Sequence, residues 1–206
     1  MRSGRQRLEI VFPVYPGLTQ LDFTAPHQVL KQIPGSVLRI ASTSGGLVVS
    51  DDGIGFMTER LVDVAACDVL CVPGGATCTD AIGDGDFMAE IDRLGRQSQY
   101  VTSVCTGSLI LAAAGFLRGR RATSHWAWRD YLTMFGATVE RGRVVRDGHI
   151  YTGGGITAGI DFALTIVAEI AGEQLAKAVQ LGLEYSPSIR RRASVTCGSS
   201  RAAGRA

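Results

Sequence analysis

Val101-Thr-Ser-Val-Cys105-Thr-Gly-Ser108 sets four residues of strand character directly before a cysteine, and a small-residue helix from Thr106 to Ala114 follows at once. So short a strand-to-helix turn pushes the side chain at the turn outward. That side chain also sits at the amino end of a helix, where unpaired backbone N–H groups and the helix dipole favour an anion. Both effects are expected to lower the Cys105 pKa and to expose a thiolate. The arrangement is that of a nucleophile elbow, although the G-x-S-x-G motif itself is absent.

Working outward, apolar strand-like runs alternate with helical patterns. Strands are expected at Leu8–Phe12, Val37–Ser42, Asp68–Val72 and Tyr100–Val104, with Leu47–Ser50 as a hairpin arm after Gly45-Gly46. Val139–Arg146 and His149–Thr152 read as a hairpin around Asp147-Gly148. Helices are expected at Asp22–Gln32, Gly85–Gln97, Trp126–Phe135, Ile156–Ala171 and Glu173–Leu183; the first has Phe23, Pro26, Val29, Leu30 and Ile33 as its apolar stripe. The unbroken apolar run at Asp68–Val72 fits a strand buried on both faces. This alternation predicts an α/β fold, a mainly parallel sheet with helices on both faces. Three small-residue turns, Pro73-Gly74-Gly75, Val104-Cys105-Thr106 and Gly153-Gly154-Gly155, each follow a buried strand and so fall at the carboxyl end of the sheet. Ligands of open α/β sheets bind at that end.

Bulk composition narrows the function classes. The 206 residues are 46% hydrophobic and 19% charged, as in an ordinary globular chain large enough for a substantial core. Residues 1–185 are expected to form one domain, and 186–206 a polar, basic, poorly ordered tail that carries Arg190-Arg191-Arg192. A net charge of +2 gives no ground for nucleic-acid binding. No apolar run reaches the roughly 18 residues of a membrane span. The segment after the basic start is broken by Pro13 and Pro16, a poor secretory signal, so a cytoplasmic location is expected. Five irregularly spaced cysteines do not make a disulfide framework. Cys71 reads as a small buried thiol, no histidine stands at metal-ligand spacing, and neither a metal nor an organic cofactor is expected.

Among residues able to do chemistry, Cys105 is the expected nucleophile, against the ordinary role of a buried structural thiol. Asp22, in Leu21-Asp-Phe-Thr24, either caps the helix that starts there or, as a carboxylate among apolar neighbours, titrates abnormally and moves protons. His125 is the obvious alternative base, with a structural or substrate-adjacent role favoured. His27 and His149 read as surface or turn residues. Asp161 sits inside an apolar helix and is expected to be a hydrogen-bond hub, because a buried carboxylate needs partners. Trp126 and Trp128 suit core or interface better than a substrate wall. No G-x-G-x-x-G follows the first strand, which speaks against a dinucleotide.

Taken together, Leu21-Asp-Phe-Thr-Ala-Pro-His27, Val72-Pro-Gly-Gly75, Val101 to Leu109, Arg121-Ala-Thr-Ser-His-Trp126 and Thr152 to Asp161 resemble the ThiJ/PfpI superfamily, from about Leu8 to Tyr185. Within it they are most similar to the branch that hydrates isocyanides. The resemblance implies a flavodoxin-like sandwich and a homodimer with sites near the subunit interface. It further implies Cys105 as nucleophile, Asp22 as acid/base in place of the superfamily's usual glutamate, and Thr106 as the group that tunes the thiolate. Gly75, Gly154, Ile156, Thr157 and Trp126 would contact substrate, and Phe23, Trp126 and Ile156 would favour an apolar R group. Thr106 stands where the protease-like branch has histidine, and Asp22 where a glyoxalase-like branch keeps glutamate; both point to hydration. The expected reaction is addition of water to an isocyanide, such as cyclohexyl isocyanide, through a covalent thioimidate to an N-substituted formamide. Alternative readings are the sensor half of an AraC-type regulator, a redox-sensing thiol protein and a 2-oxoaldehyde hydratase. The first of these needs a helix-turn-helix module, for which little chain follows the last expected helix.

Overall fold

The computed structural model describes residues 7–186; the expected tail therefore lies almost wholly outside the described residues. The chain runs β1 (Leu8–Pro13), α1 (Gln20–Leu30), β2 (Ser36–Ser42), β3 (Gly46–Val49), β4 (Gly55–Arg60), β5 (Val69–Val72), α2 (Cys78–Gly83), α3 (Gly85–Gln97) and β6 (Tyr100–Val104). It continues with α4 (Gly107–Ala113), β7 (Arg121–Ala122), β8 (Thr138–Val139), β9 (Val144–Asp147), β10 (Ile150–Gly153), α5 (Ala158–Ala171) and α6 (Glu173–Gly182).

Eight strands form one sheet in the order β3-β4-β2-β1-β5-β6-β10-β9. The six central strands are parallel, and β3 and β9 close the edges as antiparallel hairpin arms. Helix α5 packs between α1 and α6, whereas α2 packs against α3 and α4, giving two helical groups around the sheet. This is the expected α/β architecture. The central strands β5 and β10 are buried along their whole length. Chain order reverses at β1, which has β2 on one side and β5 on the other, so the crevice of an open sheet opens between the carboxyl ends of β1 and β5.

Element bounds depart from expectation where the core decides them. Helix α1 starts two residues early and buries Asp22 along with Phe23, Pro26, Val29 and Leu30. Strand β4 has no apolar run and was not legible; β3 on one side and β2 on the other hold it by backbone pairing. The short helix α2 was likewise unforeseen. Trp126–Phe135 is not an α-helix: only Arg129–Phe135 coils, as a 3-10 helix, and in it Leu132 alone is buried. Without an apolar stripe to set against the core, that stretch has little to hold an α-helix. The expected Val139–Arg146 strand is split, its first part pairing with β7 and its second with β10. No described helix is long and apolar enough to cross a membrane.

Candidate active site

Three adjacent strand ends meet here, as the glycine-bearing turns predicted. Cys105 has φ 57°, in the left-handed region that non-glycine residues seldom occupy. Such strain persists only where the surroundings over-determine it. The Cys105 N–H donates to the carbonyls of Gly153 (3.0 Å), the last residue of β10, and Gly154 (3.1 Å) just after it. Its carbonyl accepts from the hydroxyls of Ser108 (3.0 Å) and Ser124 (2.9 Å). A Cβ on Gly107 would stand 2.2 Å from the Val72 carbonyl, so only glycine lets α4 start this close to the end of β5.

Thr106 locks the elbow to the loop after β5. Its Oγ1 accepts from the Gly75 N–H (2.8 Å) and donates to the Gly75 carbonyl (2.9 Å). This pin engages both backbone groups of Gly75 within the protein. Thr106 also acts on the Cys105 thiol, first through its backbone N–H and to a smaller extent through its side chain, and both lower the thiol pKa.

Asp22 arrives from the other side. The Thr19 N–H donates to the Gly74 carbonyl (2.9 Å) and Leu18 pairs with Gly75, which sets the first turn of α1 against the β5 loop. Asp22 is not a cap: Thr19 precedes the helix, and the Asp22 side chain lies fully buried. Neither carboxyl oxygen makes a well-formed hydrogen bond with a described residue, although the Cys105 thiol and the Gly74 N–H stand close enough to stabilise its charge. Burial accordingly pushes its pKa up from 3.8 to about 7; the Cys105 thiol and the Gly74 N–H offset part of that rise. The abnormal titration expected from its apolar neighbours is present.

The Cys105 thiol is also corrected. Its residue is only 5% exposed. Burial and the Asp22 carboxylate push its pKa well up, and the Thr106 N–H at the start of the short helix α4 counters them only in part. Two facing acids in an apolar setting resist holding two negative charges, so the pair retains a proton at neutral pH. The low-pKa exposed thiolate read from the sequence is replaced by a buried thiol–carboxyl pair.

Tyr15 and Cys78 were missed. Tyr15 is buried, donates to the Pro73 carbonyl (3.2 Å) and feels the charges of Cys78, Asp22 and Cys105. Cys78 is buried beside the Thr106 hydroxyl. Only the topology brings them here. Among the described residues no group of three metal-ligating side chains is assembled.

The remaining expected contacts gather elsewhere. Gly154, Ile156, Thr157 and Trp126 line a cavity of about 380 Å³ at the start of α5, with Ser124 and His125. It abuts the elbow, because Ser124 and Gly154 both hydrogen-bond the Cys105 backbone. His125 stands in this wall against Gly155 and Trp126, and burial lowers its pKa, so it is a neutral cavity residue. Phe23 does not reach the cavity; it packs edge-on to Phe12 and Phe56. His27 is not a surface residue either, being half-buried against Phe12 and Phe23. Asp161 is the expected hub, bound by Arg143 (Nε, 2.8 Å) and the Tyr185 hydroxyl (3.0 Å).

A parallel sheet with a strained cysteine at one strand end and a buried acid facing it defines an α/β protein of the thiol-elbow class. The DJ-1/PfpI family matches residues 8–169, and the chain belongs to that family. It is 46% identical over 88% of its length, and 80% of the other's, to the isonitrile hydratase of Pseudomonas putida. The crystal structure of a ThiJ/PfpI family protein from Pseudomonas syringae superposes with a TM-score of 0.86 at 40% identity, covering 89% of this chain and 77% of that one. The HTH-type transcriptional regulator CdhR of Pseudomonas aeruginosa is 29% identical over 80% of this chain but only 51% of its own.

Proposed function

We propose that this protein is an isocyanide hydratase, with Cys105 as nucleophile and Asp22 as the proton carrier. The observation that carries the reading is the Asp22 carboxyl: fully buried, without a well-formed hydrogen bond among the described residues, and facing a cysteine held at positive φ. A carboxyl in that state costs stability, which an enzyme tolerates where the group moves protons. Identity to the Pseudomonas putida isonitrile hydratase supports the substrate class.

In the first step the Cys105 sulfur bonds to the terminal isocyanide carbon. The thiol proton passes by way of Asp22 to that carbon, giving R–N=CH–S–Cys. Water then adds across the C=N bond, one hydrogen going to nitrogen, and forms a tetrahedral carbon that bears oxygen and sulfur. The C–S bond breaks, the carbonyl forms, and the hydroxyl proton returns through Asp22 to sulfur. The sum is R–NC plus water to R–NH–CHO, with no electrons gained or lost. Covalent catalysis divides one difficult addition into two easier ones. A pair that keeps one proton is suited to this, because that proton is given and taken back once per turnover.

A reversible redox role calls for an exposed, acidic thiol; Cys105 is buried and its pKa is raised. The working unit in this reading is a homodimer, as the family resemblance implies, and light scattering checks its mass. The central test follows formamide formation from cyclohexyl isocyanide by wild type and Cys105→Ala. Turnover that vanishes in the variant supports the reading; equal turnover overturns the mechanism, and an inactive, folded wild type overturns the substrate class.

A further inference from the structure

The cavity at the start of α5 is basic. Arg129, Arg141 and Arg143 line it, and no acidic residue does. Arg143 is neutralised by Asp161, but neither Arg129 nor Arg141 forms a salt bridge with a described residue. The Nε of Arg129 is buried and has no hydrogen-bond partner among the described residues. That Nε is closed to solvent and so to a ligand as well; it is the lining of the cavity by Arg129 and Arg141 that offers guanidinium forks, and these suit a planar carboxylate. Helix α5 adds to this field: it is 14 residues long and its positive end opens on the cavity at Ile156 and Thr157. Trp126 and Ile156 supply the apolar part of the wall, fit to hold a short methylene chain.

We propose that this cavity is an anion-binding subsite, and that the preferred substrates are isocyanides whose R group ends in a carboxylate. The inference rests on the hydratase reading for the reacting end. It rests on the arginines alone for the charged end. Ser124 and Gly154 join the two, since they form part of the cavity wall and also hydrogen-bond the Cys105 backbone.

The test compares kcat/KM for a straight-chain ω-isocyano carboxylate and its methyl ester in wild type and in the double variant Arg129→Gln/Arg141→Gln. The expected preference for the acid is at least about tenfold, and the acid-to-ester ratio falls toward one in the double variant. Calorimetry of Cys105→Ala with the matching N-formyl amino acid and its ester gives a readout without turnover; the acid is expected to bind at least about tenfold tighter. Acid and ester that react and bind equally would overturn the subsite while leaving the hydratase reading intact. Arginine-dependent binding of the N-formyl acid with no isocyanide turned over would support the subsite and sink the hydratase reading. Inorganic phosphate binding alongside the ester, with the acid no better than the ester, would mark a separate anion site and overturn the proposal.

Discussion

The elbow and the cavity share a wall and are built on opposite principles. At the elbow each backbone group of Cys105 is held, Thr106 is pinned twice to Gly75, and Asp22 and Cys105 are buried. In the cavity Trp126 is 73% exposed and Ile156 36%, and two arginines have no counter-ion among the described residues. Reaction geometry tolerates little slack, because a small misplacement of a nucleophile costs orders of magnitude in rate. Selection of an R group needs only surface and charge, and those can stand in the open.

If that contrast is right, substitutions at the elbow act on kcat and those in the cavity act on KM. The largest effect is expected from Cys105→Ser, which keeps the shape and loses the soft nucleophile. Its kcat for isocyanide hydration should fall at least about 10³-fold with an unchanged Tm; a serine variant within tenfold of wild type would break the comparison.

Asp22→Asn comes next, with kcat lower by about 10²–10³-fold. Its stability moves the other way. The folded-state pKa of Asp22 is about 7 against an ordinary 3.8, so the folded protein keeps a proton that the unfolded chain releases. That contribution to stability is full below pH 3.8 and is lost as pH rises through about 7. Asp22→Asn lacks this slope and should be the more stable protein at pH 8, by about 1–3 kcal/mol, with the gap closing in acid. Denaturant melts at several pH values check the sign. In wild type, kcat/KM should rise through about pH 7 as Asp22 ionises and becomes able to accept the thiol proton.

Thr106→Val removes the pin, leaving the Gly75 N–H without its partner and the Gly75 carbonyl with only the Cys78 N–H (3.2 Å). A loss of about 1–3 kcal/mol is expected, seen as a Tm lower by roughly 3–10 °C, with kcat down about tenfold. The smallest effect belongs to Trp126→Ala: KM higher by about three- to tenfold, kcat steady, and stability within about 0.5 kcal/mol. A matching loss of kcat would merge the two regions into one.

Much of this was legible in the chain because it rests on local rules. Val69–Val72 and Tyr100–Val104 announce buried strands by their apolar runs, and Cys105 is marked by the abrupt change from strand to helix character. The convergence of Gly74, Cys105 and Gly154 follows from strand alternation, since parallel strands place all such turns at one end. Strand β4 was hidden because pairing on both sides, not hydrophobic patterning, holds it. Tyr15 and Cys78 were hidden because their relevance is a contact across 90 and 28 residues of chain respectively from the Cys105–Thr106 turn.

Periodicity, turn chemistry and the strand-to-helix junction are properties of neighbouring residues, and from them the sequence alone determined the α/β class and the elbow, with Cys105 and Asp22 as separate candidates that only the family resemblance paired. Protonation, availability and charge depend on what surrounds a group in space. Burial turned the expected thiolate into a thiol sharing its proton with Asp22, the Thr106 hydroxyl engaged both backbone groups of Gly75, and the folding of the segments around residues 129, 141 and 143 put arginines where an apolar wall was expected. Desolvation and long-range packing are not local, and only the tertiary structure decides them.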